Sequence, residues 1–283
     1  PAPELWDWDI YHETGYKTIV FSHIPCNWLQ CAENDIDPVH FEWLHDTWSV
    51  DLKGQREGAV IPKHLKINFK EFEWGIEYQR LRDNSDDWQV GRVALWPHAL
   101  YTGHFEYRVP IDDHNTLSVC WNNDPLPGDE PFDQPVIPHF WMPIHHPETG
   151  RWISSHTVNQ DIIAWVGQGT VSDREHEHLG ASDEGVIMLR RRFLSDLKAL
   201  EESNADPKGI LRDPSRNHAM SVTHLDLIHR RQFFQRAGVG LQFQVAHATH
   251  KASEVRAPAA GLHRGHRQSW RAAANPKRDG GSA

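Results

Sequence analysis

Two histidines and a carboxylate stand at the spacing Asp37-x2-His40-x4-His45. Imidazole nitrogen and carboxylate oxygen are ligand types suited to a divalent first-row metal ion. Asp37 and His40 are three residues apart and share one face of a helix. His40 and His45 are five apart, and at about 100° per residue a regular helix would splay them by about 140°. A joint site therefore requires a helix end or a local bulge here, and such irregularities often mark functional positions. The second histidine falls one residue late for the His-Glu-x-x-His of zinc proteases, and no glutamate follows either histidine, which disfavours a hydrolytic zinc enzyme. Taken locally, Asp37 caps a helix or orients His40 through its second ring nitrogen. In a chain with 21 histidines, two fall five apart by chance, so the surrounding elements and residues decide.

The segment from Asn27 to Trp48 places Trp28, Leu29, Ala32, Ile36, His40, Trp43 and Leu44 at roughly helical spacing. Before it, residues 1–14 read as an extended, Trp-rich lead-in and residues 16–24 as a strand punctuated by Pro25. Residues 65–81 and 90–121 alternate with period two, as half-buried strands do, and Ile111 to Asn115 reads as a hairpin turn. Pro-rich stretches at 125–138 and 143–147 read as an excursion over the surface. Helical patterning returns at 159–167 and at 183–204, where Ser182 and Asp183 can cap. Helix, antiparallel strands and helix predict an α+β domain, a curved antiparallel sheet with helices on one side. Glu71, Glu73, Glu77, Arg80 and Arg82 read as the wet side of that sheet, and Arg190, Arg191 and Arg192 as a charged helix face. His145 and His146, His176 and His178, and His263 and His266 read as solvated.

Beyond the two histidines, the run Asn-Trp-Leu-Gln (27–30), Glu33-Asn34, Asp37, His40 and His45 resembles the mononuclear-iron motif of Rieske non-haem iron aromatic-ring oxygenase α subunits. The flavour is that of the phthalate 4,5-dioxygenase and 5,5'-dehydrodivanillate O-demethylase branch. A second block agrees: Gln160-Asp161, Gln168-Gly169, Asp173-Arg174, Glu177, Leu179-Gly180 and Ser182-Asp183-x-Gly185. Residues 205–217 fit as well, so the resemblance covers roughly residues 1–217 in order. It implies a catalytic domain over 1–217 with a helix-grip fold, START-like (SRPBCC), antiparallel sheet against helices. It also implies Fe(II) bound by His40, His45 and Asp161, a two-histidine, one-carboxylate set that leaves positions open for chemistry. Asp37 is then the catalytic bridge that holds an iron-ligating histidine and links it to a cluster histidine of a neighbouring subunit. Glu33 and Asn34 would pack and hydrogen-bond near the site. The implied activity is O2-dependent hydroxylation or O-demethylation of a carboxylated or methoxylated aromatic compound. A reductase or ferredoxin would supply electrons to a homotrimer.

A Rieske [2Fe-2S] centre takes two Cys and two His ligands, and none of Cys26, Cys31 or Cys120 precedes a histidine at the C-x-H or C-x2-H spacing. The cluster is expected either upstream, the chain being a truncated and by itself inactive piece of an oxygenase, or on a separate protein. The start at Pro1 favours the first. A rival reading is a START-like module that binds a hydrophobic ligand without redox chemistry. The net charge of -10 argues against a nucleic-acid partner. No run of 18 apolar residues suggests a membrane span, and three cysteines without a disulfide pattern suit a bacterial-type cytoplasm. Thirteen tryptophans require a large aromatic interior. Residues 1–214 hold 18 Lys+Arg against 36 Asp+Glu, whereas residues 215–283 hold 11 against 3. Residues 218–283 read as a divergent basic extension whose last ~30 residues are disordered.

Overall fold

The period-two stretches pair into one eight-stranded sheet. The computed structural model describes residues 5–52, 54, 56–83, 88, 92–124, 133–203, 215 and 217, all within one compact unit, Pro1–Arg236. In chain order the elements are β1 (Tyr16–Ile24), α1 (Trp28–Asn34), a π-helical turn (Phe41–Asp46) continuing into α2 (Thr47–Leu52), β2 (His64–Phe72), β3 (Gly75–Arg82) and β4 (Arg92–Leu95). Then follow β5 (Ala99–Tyr101), β6 (Phe105–Asp112), β7 (Asn115–Asp124), β8 (His139–Trp141), α3 (Thr157–Gly167) and α4 (Glu184–Ser203). The strand order is β2-β3-β4-β5-β6-β7-β1-β8. All pairings are antiparallel except that of β1 with β8. The expected α+β architecture, an antiparallel sheet packed against helices, is present.

Alternation along β4 shows how both faces are covered. Val93 and Leu95 point into a cluster with Trp6, Trp8, Ile10, Phe105 and Trp121. Ala94 points to the other side, where Ile36, Ile76, Tyr78, Val186 and Leu189 bring in α4. The Trp-rich lead-in is thus a core layer beneath the sheet, and it includes a 3-10 turn at Asp9–His12 where an extended segment was expected. A third cluster, Ile24, Cys26, Cys31, Ile162 and Trp165, joins the end of β1 to α1 and α3. The hairpin predicted at 111–115 closes on Asp112, whose Oδ1 accepts from the His114 amide at 2.8 Å.

Between the two Pro-rich stretches lies an edge strand that no periodicity signalled: β8 pairs in parallel with β1, Phe21 opposite Trp141. Two expectations are corrected. Glu77 and Arg80, expected on the wet side of the sheet, are each only 5% exposed. The charge face expected at Arg190–192 is not one face. Arg192 is 3% exposed and donates to the backbone oxygens of Phe72, Glu73 and Gly75 at the β2–β3 turn (3.1, 2.8 and 3.2 Å). Arg190 reaches Glu33 and Glu177 instead. Arg192 is buried because backbone oxygens satisfy its guanidinium, which composition alone does not reveal.

Asn217 accepts from the Asp7 amide at 2.6 Å and donates to the Leu5 oxygen at 2.9 Å, fastening that position to the lead-in. The extension expected at 218–283 lies outside the described residues. Among the described residues, no helix is long and apolar enough to cross a membrane.

Candidate metal centre

The irregularity demanded by the five-residue histidine spacing is a π-helical turn at Phe41–Asp46. Its i→i+5 hydrogen bonding sets residues five apart on one side of the helix, and His40 caps the turn that contains His45. The two imidazole centroids lie 5.0 Å apart. Phe41 packs its ring against both, 5.1 Å from His40 and 4.7 Å from His45, and the Arg80 guanidinium covers Phe41 at 4.1 Å.

The turn is fixed at its outer side by charge. Glu42 accepts from Lys63 Nζ at 2.7 Å, from the His64 amide at 3.0 Å and meets His64 Nδ1 at 3.2 Å. Arg82 pairs with Asp46. Burial pushes the Glu42 carboxyl up, but the Lys63 ammonium and the His64 donors outweigh it and hold it down to about 2.

Asp161, on α3, completes the group. Its Oδ1 lies 3.1 Å from His45 Nε2 and 3.8 Å from His40 Nε2, and one ligand atom from each of the three residues falls within 4.8 Å of the others. Each imidazole is held from behind. His40 Nδ1 is 2.5 Å from the Asp37 backbone oxygen, and His45 Nδ1 is 2.9 Å from Gln160 Oε1. Both partners are acceptors, so Nδ1 carries the proton and Nε2 offers its lone pair to the centre of the group.

A metal fits this arrangement. His45 Nε2 and Asp161 Oδ1 are buried and have no hydrogen-bond partner, an expensive state that a cation between them relieves. Ligand atoms about 2.1 Å from one ion at angles of about 90–110° sit about 3.0–3.5 Å apart, a range that contains the 3.1 Å between His45 Nε2 and Asp161 Oδ1. Burial pushes the His40 imidazole down to about 4, so it is neutral at ordinary pH, as a ligand must be. Burial opposes charge on His45 too, but the Asp161 carboxylate outweighs it and raises that imidazole above its usual range.

Asp37 stands beside the group. Its Oδ1 accepts from the Val39 amide at 2.8 Å, its Oδ2 is 3.7 Å from His40 Nδ1, and its side chain is 28% exposed. It therefore shapes the turn into the π-helix, and its carboxylate is largely buried, which raises it above the usual carboxylate range. Glu33 receives Arg174 at 2.8 Å and Arg190 at 2.7 Å, tying α1 to the later chain. The role missed from sequence is that of Gln160, quoted there only as part of a motif. Its neighbour Asp161 drew attention, whereas an amide that orients a ring 115 positions earlier leaves no local pattern.

Residues 140–229 match the family model described as LigXa C-terminal domain like. The chain is 49% identical over 237 residues to the 5,5'-dehydrodivanillate O-demethylase oxygenase subunit of Sphingobium sp. (strain NBRC 103272 / SYK-6), covering 81% of this chain and 54% of that protein. It is 27% identical to the phenoxybenzoate dioxygenase subunit alpha of Ectopseudomonas oleovorans, over 66% of this chain and 46% of that one. It is also 28% identical to the phthalate 4,5-dioxygenase oxygenase subunit of Pseudomonas putida, over 67% and 53%. The chain spans about half the length of the curated relatives it matches. On these matches and the motifs they share, the chain is a relative of Rieske non-haem iron aromatic-ring oxygenase α subunits over about half of their length.

Proposed function

We propose that residues 1–217 form the mononuclear-iron catalytic portion of an O2-dependent oxygenase that hydroxylates or O-demethylates an aromatic acid. Fe(II) would be held by His40, His45 and Asp161. The observation that carries the reading is the pair of orphaned, buried atoms, His45 Nε2 and Asp161 Oδ1, meeting at a two-histidine, one-carboxylate group. The names of the relatives, a dehydrodivanillate O-demethylase, a phenoxybenzoate dioxygenase and a phthalate dioxygenase, support the substrate class.

When bound, Fe(II) supplies activation of O2 beside the substrate. The chain's own residues do the rest. Asp37 O and Gln160 Oε1 hold the two rings in the tautomer that presents Nε2. Phe41 and Arg80 close the protein side of the histidines. Asp37 would accept a hydrogen bond from a partner subunit, along which electrons would arrive from a [2Fe-2S] cluster in a homotrimer. A reductase or ferredoxin would feed that cluster, in a bacterial cytoplasm.

Hydrogen peroxide tests the chemistry without an electron donor, since it brings both the oxygen atom and the electron pair: a methoxyarene plus H2O2 gives phenol, formaldehyde and water. Fe(II)-loaded chain incubated with peroxide and methoxylated benzoates should release formaldehyde or yield hydroxylated product, and Asp161→Ala should abolish it. Binding of the aromatic acid with no product from either protein would favour a hydrophobic-ligand module instead.

A further inference from the structure

The metal group joins two chain segments, one carrying His40 and His45, the other carrying Asp161, and a metal site tolerates misplacement of only about 0.5 Å. A side chain from the sheet touches both arms. Arg108 rises from β6 and is 1% exposed. Its Nη2 donates to Asp35 Oδ1 at 3.0 Å, two residues before Asp37 in the turn that leads to His40. Its guanidinium also lies 4.5 Å from the centre of the Trp165 ring. Trp165 stands four residues after Asp161 on α3 and so shares its face.

The guanidinium is itself fixed from the sheet. Nη1 donates to Ser118 Oγ at 3.0 Å on β7, and Nη2 to Glu106 Oε2 at 2.5 Å on β6. Glu106 is steadied in turn by His104 Nε2 at 2.9 Å. A buried ion triad is not a source of stability relative to a well-packed apolar core; its best-attested use is to specify one arrangement. Here the arrangement specified is the distance between the turn at Asp35 and α3.

We propose that Arg108 is a positioning residue of the metal centre: anchored on the sheet, it sets the spacing between the His40/His45 arm and the Asp161 arm through Asp35 and Trp165. The inference rests on the reading of His40, His45 and Asp161 as metal ligands. Lysine at 108 keeps the charge that meets Asp35 but loses the planar fork and the stacking on Trp165. Methionine keeps the bulk and loses both.

The test is anaerobic titration of the full chain with Co(II), followed by visible absorption and alongside thermal unfolding. The variants are wild type, Arg108→Lys, Arg108→Met, Asp35→Asn and, as a destabilised control from the opposite face of the sheet, Val93→Ala. Arg108→Met should weaken Co(II) binding about 10-fold or more and shift the Co(II) bands, with Arg108→Lys between it and wild type. Val93→Ala should lower the melting temperature yet leave affinity and bands unchanged. Should Arg108→Met not fold, Arg108→Lys and Asp35→Asn carry the comparison. Wild type that binds Co(II) while the folded Arg108 and Asp35 variants bind it identically overturns the inference alone. So does a Val93→Ala loss as large as theirs. Wild type that binds no Co(II) overturns the metal reading and this inference with it.

Discussion

His45 is held from behind by Gln160 at Nδ1 and presents Nε2 to the metal group, 3.1 Å from Asp161 Oδ1. Groups that orient a ligand imidazole from behind commonly carry 10–100-fold of metal affinity. Gln160→Leu should therefore weaken Co(II) or Fe(II) binding by about that factor with little change in melting temperature, as a titration would read directly. Asp37 makes a different prediction. Asn at 37 can still accept from the Val39 amide, so Asp37→Asn should leave metal affinity and peroxide-driven turnover near wild type. Turnover fed by a reductase through a cluster should fall steeply. Equal loss in both assays would place Asp37 in the site itself and not on the electron path. The ligand types and the need for a bulge were legible in Asp37-x2-His40-x4-His45, because they follow from side-chain chemistry and helical geometry. Asp161 became a candidate through the motif around it, and its meeting with the histidines depends on contacts between distant segments that no local spacing encodes.

At the scale of elements, the π-helical turn is held to β2 by Glu42 and to β3 by Arg82. The folded Glu42 carboxyl, near 2, lies below its ordinary value of 4.5, so its contribution is present above about 4.5 and is lost as pH falls through 2. Glu42→Gln should unfold at lower temperature at neutral pH, and its melting temperature should depend less on pH between 4.5 and 2 than that of wild type. The start of α4 supplies a second case. A β-carbon on Gly185 would press into the Phe69 ring and stand 2.8 Å from the Ile36 oxygen. Gly185→Ala should cost about 1–3 kcal/mol by overpacking, measurable by urea unfolding. The glycine of the Ser182-Asp183-x-Gly185 motif is thus explained by packing, next to the turn that leads to His40. Strand periodicity made β1, the β2–β3 pair and the β6–β7 hairpin legible. β8 was not, since its three residues sit among prolines and gain their pairing only from β1.

For the whole molecule, the sheet is sealed on one face by Trp6, Trp8 and Ile10 and on the other by α4 together with Ile36, in the turn that leads to His40. The tryptophan count foretold a large aromatic interior but not that the lead-in would supply it, because burial depends on what the sheet leaves uncovered. Trp8 is 2% exposed, and Trp8→Ala should cost about 3–5 kcal/mol while sparing the metal affinity of the protein that remains folded. The central claim is that His40, His45 and Asp161 are one metal site, and anaerobic calorimetric titration with ferrous iron tests it most directly. The account predicts one Fe(II) bound per chain in wild type and no measurable binding after His40→Ala plus His45→Ala in a protein that still folds. Absence of binding to wild type, or equal binding to the double variant, would contradict it.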